Sequence, residues 1–289
     1  MRKKDDKQKG PVETTGHSWD GIEEFNNPLP RWWLWTFYGT IIWGIIYTIL
    51  YPAWPISTEG ATPGVLGYSS RAELQAEMEK FDTRLKPLKE KIVAVDLAAI
   101  KDDPQLADFA RRGGKALFAT WCAQCHGSGG QGAKGYPNLL DDEWLWGGTL
   151  DAIHTTIRHG VNDEHDEDTR TSEMPAWKDQ LEPTEIENVV QYVLKISGQE
   201  HDAARAEAGA TVFADNCAAC HGEDGKGDQE TGAPDLTNAI WLYGGDEATI
   251  RETVENGRKG VMPSWSKRGL DEAEIRQVAF YVHSLGGGQ

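Results

Sequence analysis

Hydrophobic and polar positions divide the chain into three kinds of segment. From Trp32 to Tyr51, twenty consecutive residues carry no charge. A helix that crosses a bilayer needs roughly 20 mainly apolar residues. Aromatic residues crowd both ends of the run, Trp32, Trp33 and Trp35 at one and Tyr51 and Trp54 at the other, where amphipathic rings sit at the two membrane interfaces. A signal peptide would not carry 31 residues ahead of its apolar stretch, and no small-x-small cleavage site follows. A buried core helix would leave the aromatic belts unexplained. The pattern predicts one uncleaved transmembrane anchor over residues 32–54. Residues 55–103 form a charged linker. Ser69 or Ser70 is placed to cap a helix running to about Lys86, where Pro87 is expected to break it. Its Glu and Lys content suits a helix that leans on a partner or on the membrane surface.

The rest of the chain repeats itself. Gly114-Lys-Ala-Leu-Phe118 precedes one Cys-x-x-Cys-His by the same step that Gly209-Ala-Thr-Val-Phe213 precedes another. Pro137-Asn138-Leu139 matches Pro234-Asp235-Leu236, and Trp144-Leu-Trp-Gly-Gly148 matches Trp241-Leu-Tyr-Gly-Gly245. Each copy ends on apolar residues at helical spacing, Ile186, Val189, Val190, Val193 and Leu194 in the first and Ile275, Val278, Ala279 and Val282 in the second. Asp102 or Asp103 before Pro104 supplies an N-cap for the first helix. The fold expected is mostly α: an anchor, then two tandem cytochrome c-type helical domains over 104–200 and 201–289. Each reads as a helix into the cysteine motif, a loop, a short helix, a methionine loop and a final helix.

The chemistry rests on two scarce residue types. The four cysteines, Cys122, Cys125, Cys217 and Cys220, all fall in the two C-x-x-C-H motifs, which leaves no thiol for a disulfide. C-x-x-C-H is the attachment motif of haem c: the thiols form thioethers to the vinyl groups, and His126 or His221 becomes the proximal iron ligand. An all-cysteine zinc site is disfavoured by the 94 residues between Cys122 and Cys217. A redox dithiol would not explain a histidine after each second cysteine. Of the four methionines, Met1 opens the chain and Met78 sits in the charged helical run. Met174 and Met262, in Met-Pro-Ala-Trp and Met-Pro-Ser-Trp, each follow a motif by 40 to 50 residues and are the expected distal ligands. A thioether is neutral and soft and favours ferrous iron. Two covalent haems c are therefore expected. The spacing leaves open whether each methionine serves its own repeat or the other one.

Between Gly160 and Met174 the first repeat has nine more residues than the second has between Gly257 and Met262. The extra stretch includes Asp163-Glu164-His165-Asp166-Glu167-Asp168 and reads as a solvated acidic loop, with a contact surface for a basic redox partner as the alternative. His17, His154, His159, His165, His201 and His283 lack ligand spacing and read as structural or surface residues.

Charge sets the direction of the anchor. Residues 1–31 hold six Lys or Arg (Arg2, Lys3, Lys4, Lys7, Lys9 and Arg31), and the next basic residue is Arg71. The positive-inside rule puts the N-terminus in the cytoplasm and the haem domains in the periplasm, on the outer face of a bacterial inner membrane. Six acids balance the charge of residues 1–31, so the net charge of -17 lies wholly on the far side. So acidic a chain is not a nucleic-acid binder.

With these motifs in order, residues Thr15-Gly-His-Ser-Trp-Asp-Gly-Ile-Glu-Glu-Phe-Asn-Asn-Pro-Leu-Pro-Arg-Trp-Trp33 resemble the N-terminal signature of the dihaem subunit (subunit III, the CcoP/FixP family) of cbb3-type cytochrome c oxidases. The likeness extends over essentially the whole chain. It implies an electron-transfer subunit of a proton-pumping terminal oxidase. The implied partners are a catalytic subunit with haem b and a haem–copper centre, a monohaem cytochrome c subunit, and a donor cytochrome c or the bc1 complex. The anchor contains no His, so this chain does not ligate the haem–copper centre. Two six-coordinate irons leave no open position for oxygen. A free-standing anchored dihaem shuttle would share every motif except residues 15–33. A dihaem peroxidase would need a haem that loses its sixth ligand.

Overall fold

The computed structural model describes residues 13–55 and 60–288. The basic residues Arg2 to Lys9 invoked for orientation lie outside them. The chain divides into two units, residues 1–83 and 84–289.

In the first unit, strands β1 (Thr14–Trp19) and β2 (Ile22–Phe25) pair as an antiparallel hairpin. Asp20 and Gly21 form its turn with φ of 52° and 85°, the left-handed geometry for which Asp-Gly is suited. The hairpin lies within the N-terminal signature and adds a small sheet to the mostly α plan. Helix α1 (Arg31–Leu50) follows, with no buried residue. It is long and apolar enough to cross a membrane. It stops because Tyr51 is extended ahead of Pro52.

Helix α2 (Ser70–Ala94) does not break at Pro87 but runs through it. Its last turns are held by tertiary contacts that offset the missing backbone bond. Ile92 is fully buried, and Lys89 pairs with Asp271 at 3.0 Å and Glu274 at 3.3 Å. Local propensity yields here to packing.

The second unit contains α3 (Pro104–Leu117), which runs through a π-helical turn (Phe118–Cys122) into α4 (Ala123–His126). Then come α5 (Leu150–His159), α6 (Pro183–Ile196), α7 (Ala203–Asn216), α8 (Ala218–His221), α9 (Glu247–Asn256) and α10 (Glu272–His283). Asp103 caps α3 by accepting from the Gln105 and Leu106 amides at 3.0 and 3.1 Å. Glu182 with Glu185, and Asp271 with Glu274, form capping boxes on α6 and α10.

These helices do not pack repeat by repeat. The α6 residues Ile186, Val189, Val190, Val193 and Leu194 form one core with Val212 and Phe213 of α7 and Ile250 and Val254 of α9. The α10 residues Ile275, Val278, Ala279 and Val282 form another with Phe118, Leu139, and Ile153 and Ile157 of α5. The final helix of each sequence repeat thus completes the core of the other. The repeated glycines explain the fit. A Cβ on Gly114 would strike the Gln277 backbone of α10, and one on Gly209 would strike the Asn188 backbone of α6. Each glycine lets a helix of the opposite repeat cross at backbone contact. A third cluster joins Ile92, Ile100, Leu106, Ala110 and Ala273.

Candidate haem-binding site

Both C-x-x-C-H motifs occupy the same local structure. A long helix (α3 or α7) delivers the first cysteine, a single helical turn (α4 or α8) carries the second cysteine and the histidine, and Gly127 or Gly222 ends it at φ 80° or 76°. Cys122 and Cys217 are half-buried, and Cys125 and Cys220 are exposed. The Nδ1 of His126 lies 2.9 Å from the Pro137 carbonyl, and that of His221 lies 3.1 Å from the Pro234 carbonyl. A carbonyl only accepts, so Nδ1 carries the proton and Nε2 keeps its lone pair for a metal. Burial pulls both imidazoles below their ordinary value, partly opposed by these carbonyl bonds, which favours the neutral ligand. Burial, with the neighbouring cysteine adding to it, pushes the thiols of Cys122 and Cys217 up to about 12 and about 11. That is the reverse of a reactive redox dithiol.

The methionine loops follow the exchanged helices. Met174 and Cys217 both pack against the α6–α7–α9 core, and Met262 and Cys122 both pack against the α5–α10 core. Each loop is tied to the chain that follows the other repeat's short helix. Val161 and Met262 exchange two backbone bonds of 2.8 and 2.9 Å, and Arg258 and Met174 exchange two of 3.0 and 2.9 Å. Gly160 and Gly257 (φ 71° and 70°) close α5 and α9 just before these bridges. A Cβ at either would run into the Met262 or Met174 carbonyl.

One cavity of about 1190 Å³ is lined by both motifs, by Met174 and Met262, and by Arg258. It exceeds the roughly 300–1,000 Å³ of a site for one small ligand. The Arg258 guanidinium lies over the Tyr243 ring at 4.5 Å. Its Nη2 is buried with no hydrogen-bond partner among the described residues. The rest of the guanidinium is satisfied, Nη1 by Glu252 at 3.3 Å and Nε by Thr253 at 3.0 Å, so it is one buried N–H on the cavity wall that calls for an acceptor. In the first repeat Arg170 lies over Trp146, the counterpart of Tyr243, at 5.2 Å and donates to the Trp146 carbonyl at 2.8 Å. A haem c fits this donor set: thioether-forming cysteines, neutral histidines with Nε2 free, thioethers, and one unpaired guanidinium N–H of the half-buried Arg258 for a propionate.

The structure gives His154, His159 and His165, all predicted to be structural or surface residues, acidic partners. His154 Nε2 is 3.0 Å from Glu272, and the Nδ1 atoms of His159 and His165 face Asp166 and Asp163 at 3.2 and 3.1 Å. The acidic stretch departs from a fully solvated loop, since Asp163 and Asp166 are buried. Pro137 and Pro234 stood out in the sequence as repeated residues but not as orienting groups. Arg258 had no signal there, because the matching position of the first repeat is Val161.

An apolar anchor helix and two half-cores built on C-x-x-C-H motifs define a membrane-anchored c-type cytochrome with a duplicated haem-binding fold. Comparison with known proteins narrows this. Residues 11–58 match the N-terminal domain of cytochrome oxidase-cbb3, FixP. Residues 109–193 and 204–282 match the cytochrome C oxidase, cbb3-type, subunit III family. The chain is 58% identical to the cbb3-type cytochrome c oxidase subunit CcoP of Cereibacter sphaeroides over 100% of both chains. It is 59% identical to CcoP of Rhodobacter capsulatus over 97% of this chain and 98% of that one. It is 51% identical to FixP of Azorhizobium caulinodans over 97% and 95%. The chain belongs to the cbb3-type cytochrome c oxidase subunit III family.

Proposed function

We propose that this chain is the dihaem electron-transfer subunit of a cbb3-type terminal oxidase. On this reading it takes electrons from a donor cytochrome c or a bc1 complex and passes them towards a catalytic haem b/copper subunit, alongside a monohaem cytochrome c subunit. The observation that carries the reading is the single cavity lined by both C-x-x-C-H motifs and both loop methionines. When bound, each haem c supplies a one-electron ferric/ferrous couple. The chain's residues do the rest. Cys122 and Cys125, and Cys217 and Cys220, tether the two groups. His126 and His221 present Nε2, held in that tautomer by the Pro137 and Pro234 carbonyls. Met262 would supply the thioether to the haem at the Cys122 site and Met174 to that at the Cys217 site, a pairing supported by their shared packing. Arg258 Nη2, left without a partner among the described residues, would donate to a propionate. The apolar cores exclude water, which favours the less charged, reduced state.

The anchor would hold these sites at the outer face of the inner membrane, with the N-terminus cytoplasmic. The test is purification through a tag on this chain in mild detergent, followed by reduced-minus-oxidised spectra, haem counting and oxygen uptake. Two haems c per chain, accompanying haem b bands and cyanide-sensitive oxygen consumption are expected. Haem c alone without oxygen uptake would instead indicate a free-standing carrier. Protease added to intact spheroplasts should cleave after α1 and leave the N-terminal segment protected.

A further inference from the structure

The nine extra residues of the first repeat do not hang in solvent. Asp163 and Asp166 are only 8% and 4% exposed, and both reach Ser264, which is fully buried two residues beyond Met262. Asp163 Oδ2 accepts the Ser264 amide at 2.6 Å. The Ser264 hydroxyl lies 2.7 Å from Asp166 Oδ2 and 2.7 Å from the Arg158 carbonyl. It has one proton. Ser266 Oγ donates to that carbonyl at 2.8 Å, which leaves the Ser264 proton for the carboxylate. The two carboxylates are themselves fixed from behind. His165 donates to Asp163 through its amide and lies with Nδ1 at 3.1 Å, while the Asp168 amide and His159 Nδ1 bind Asp166.

The other methionine loop has the same backbone ties and, among the described residues, no buried carboxylate on it; its cross-repeat ion pair, Lys259 with Glu173 at 2.7 Å, is exposed. Met174 bonds Arg258, and the Trp177 amide reaches the Val254 carbonyl at 3.0 Å, as the Trp265 amide reaches Ile157 at 3.1 Å. Where Met262 is followed by Ser264, Met174 is followed by Ala176, which has no hydroxyl to offer. Charge-assisted bonds to buried groups are about twice as strong as neutral ones, and groups that orient a ligand change metal affinity roughly 10–100-fold when removed.

We propose that Asp163, Asp166 and Ser264 are positioning residues. They clamp the Met262 loop across the two repeats, so that the thioether at the Cys122 site is displaced less readily than Met174 at the Cys217 site. This rests on the reading of Met262 as a distal ligand. The clamp makes the two sites unequal although their motifs match: one iron is held closed, and the other keeps a more yielding ligand.

The test uses the full chain in its detergent-purified, oxidised complex. Imidazole is titrated while the methionine-to-ferric-iron charge-transfer band is read. Ser264→Ala gives the second loop the same four residues that the first loop already has, so it is expected to fold. Asp166→Ala tests the opposite side of the contact. Each variant is expected to lower the imidazole concentration that displaces one haem equivalent per chain by roughly tenfold, about 1.4 kcal/mol. Glu167→Gln, an exposed acid of the same loop, should change nothing. The proposal fails if Ser264→Ala and Asp166→Ala leave the titration unchanged, if they shift both haems of this chain alike, or if Glu167→Gln shifts it equally. A wild-type chain that accounts for fewer than two methionine-ligated haems would remove the Met262 reading itself, and the clamp with it, before any variant is compared.

Discussion

Gly160 and Gly257 carry more of the site than their size suggests. Each sits at a left-handed φ, and each faces the carbonyl of a methionine from the opposite repeat. Gly160→Ala is expected to cost about 1–2 kcal/mol from the backbone alone and to push the Met262 loop outward. A denaturant titration should register the loss of stability, and the charge-transfer band should drop by one haem equivalent. Gly257→Ala should do the same through Met174. His154 gives a pH dependence. Burial holds it below its ordinary value, with Glu272 opposing. As pH falls, the unfolded chain therefore takes up the proton first. The stability is complete above the unfolded value near 6.5 and is eroded below it, down towards the folded value. His154→Gln should flatten the fall in unfolding midpoint between about pH 7 and 5; an equal slope in both proteins would remove His154 as its source.

At the scale of elements, the consequential feature is the exchange of α6 and α10. A chain ended at residue 200 separates two outcomes. Independent tandem domains would leave a complete first core with Met174. The observed packing leaves Cys122 without Met262 and α10, and α6 without α7. The expected result is no methionine-ligated haem and no cooperative unfolding. Phe213, 2% exposed at the junction of α6 and α7, offers a milder probe. Phe213→Ala should cost about 3–5 kcal/mol, measured as a shift in the denaturation midpoint. The helices themselves were legible in the sequence, since the 3.6-residue spacing of Ile186 to Leu194 and of Ile275 to Val282 marks them plainly. Their partners were not. The two repeats present nearly interchangeable apolar faces and the same close-approach glycine, so pattern alone fits either pairing. The Asp163–Ser264 contact was hidden for a related reason, because a run of acids looks solvated until a buried donor from 98 or more residues away meets it. Pro87 misled because its effect is local, whereas Lys89 and Ile92 answer to distant groups. The Asp20-Gly21 hairpin did have a local signal in its turn dipeptide.

The whole molecule carries a net charge of -17. With residues 1–31 neutral, the excess lies in residues 32–289, which include the haem-binding unit. A positively charged donor should therefore associate quickly at low ionic strength and more slowly as salt screens the field, over a Debye length of about 10 Å at 0.1 M. Stopped-flow reduction between low and high salt measures this, and an invariant second-order rate would rule out steering. The crossed packing also imposes a timetable on manufacture. Ribosomes add roughly 5–20 residues per second, and 136 positions separate His126 from Met262, so roughly 7–27 s elapse between them at that pace. Met174 is made before Cys217. On the proposed pairing, the later site would have its methionine already synthesised, while the earlier one would wait for Met262 to be added. If haem were attached within that interval, the Cys122 site would have His126 in place without Met262.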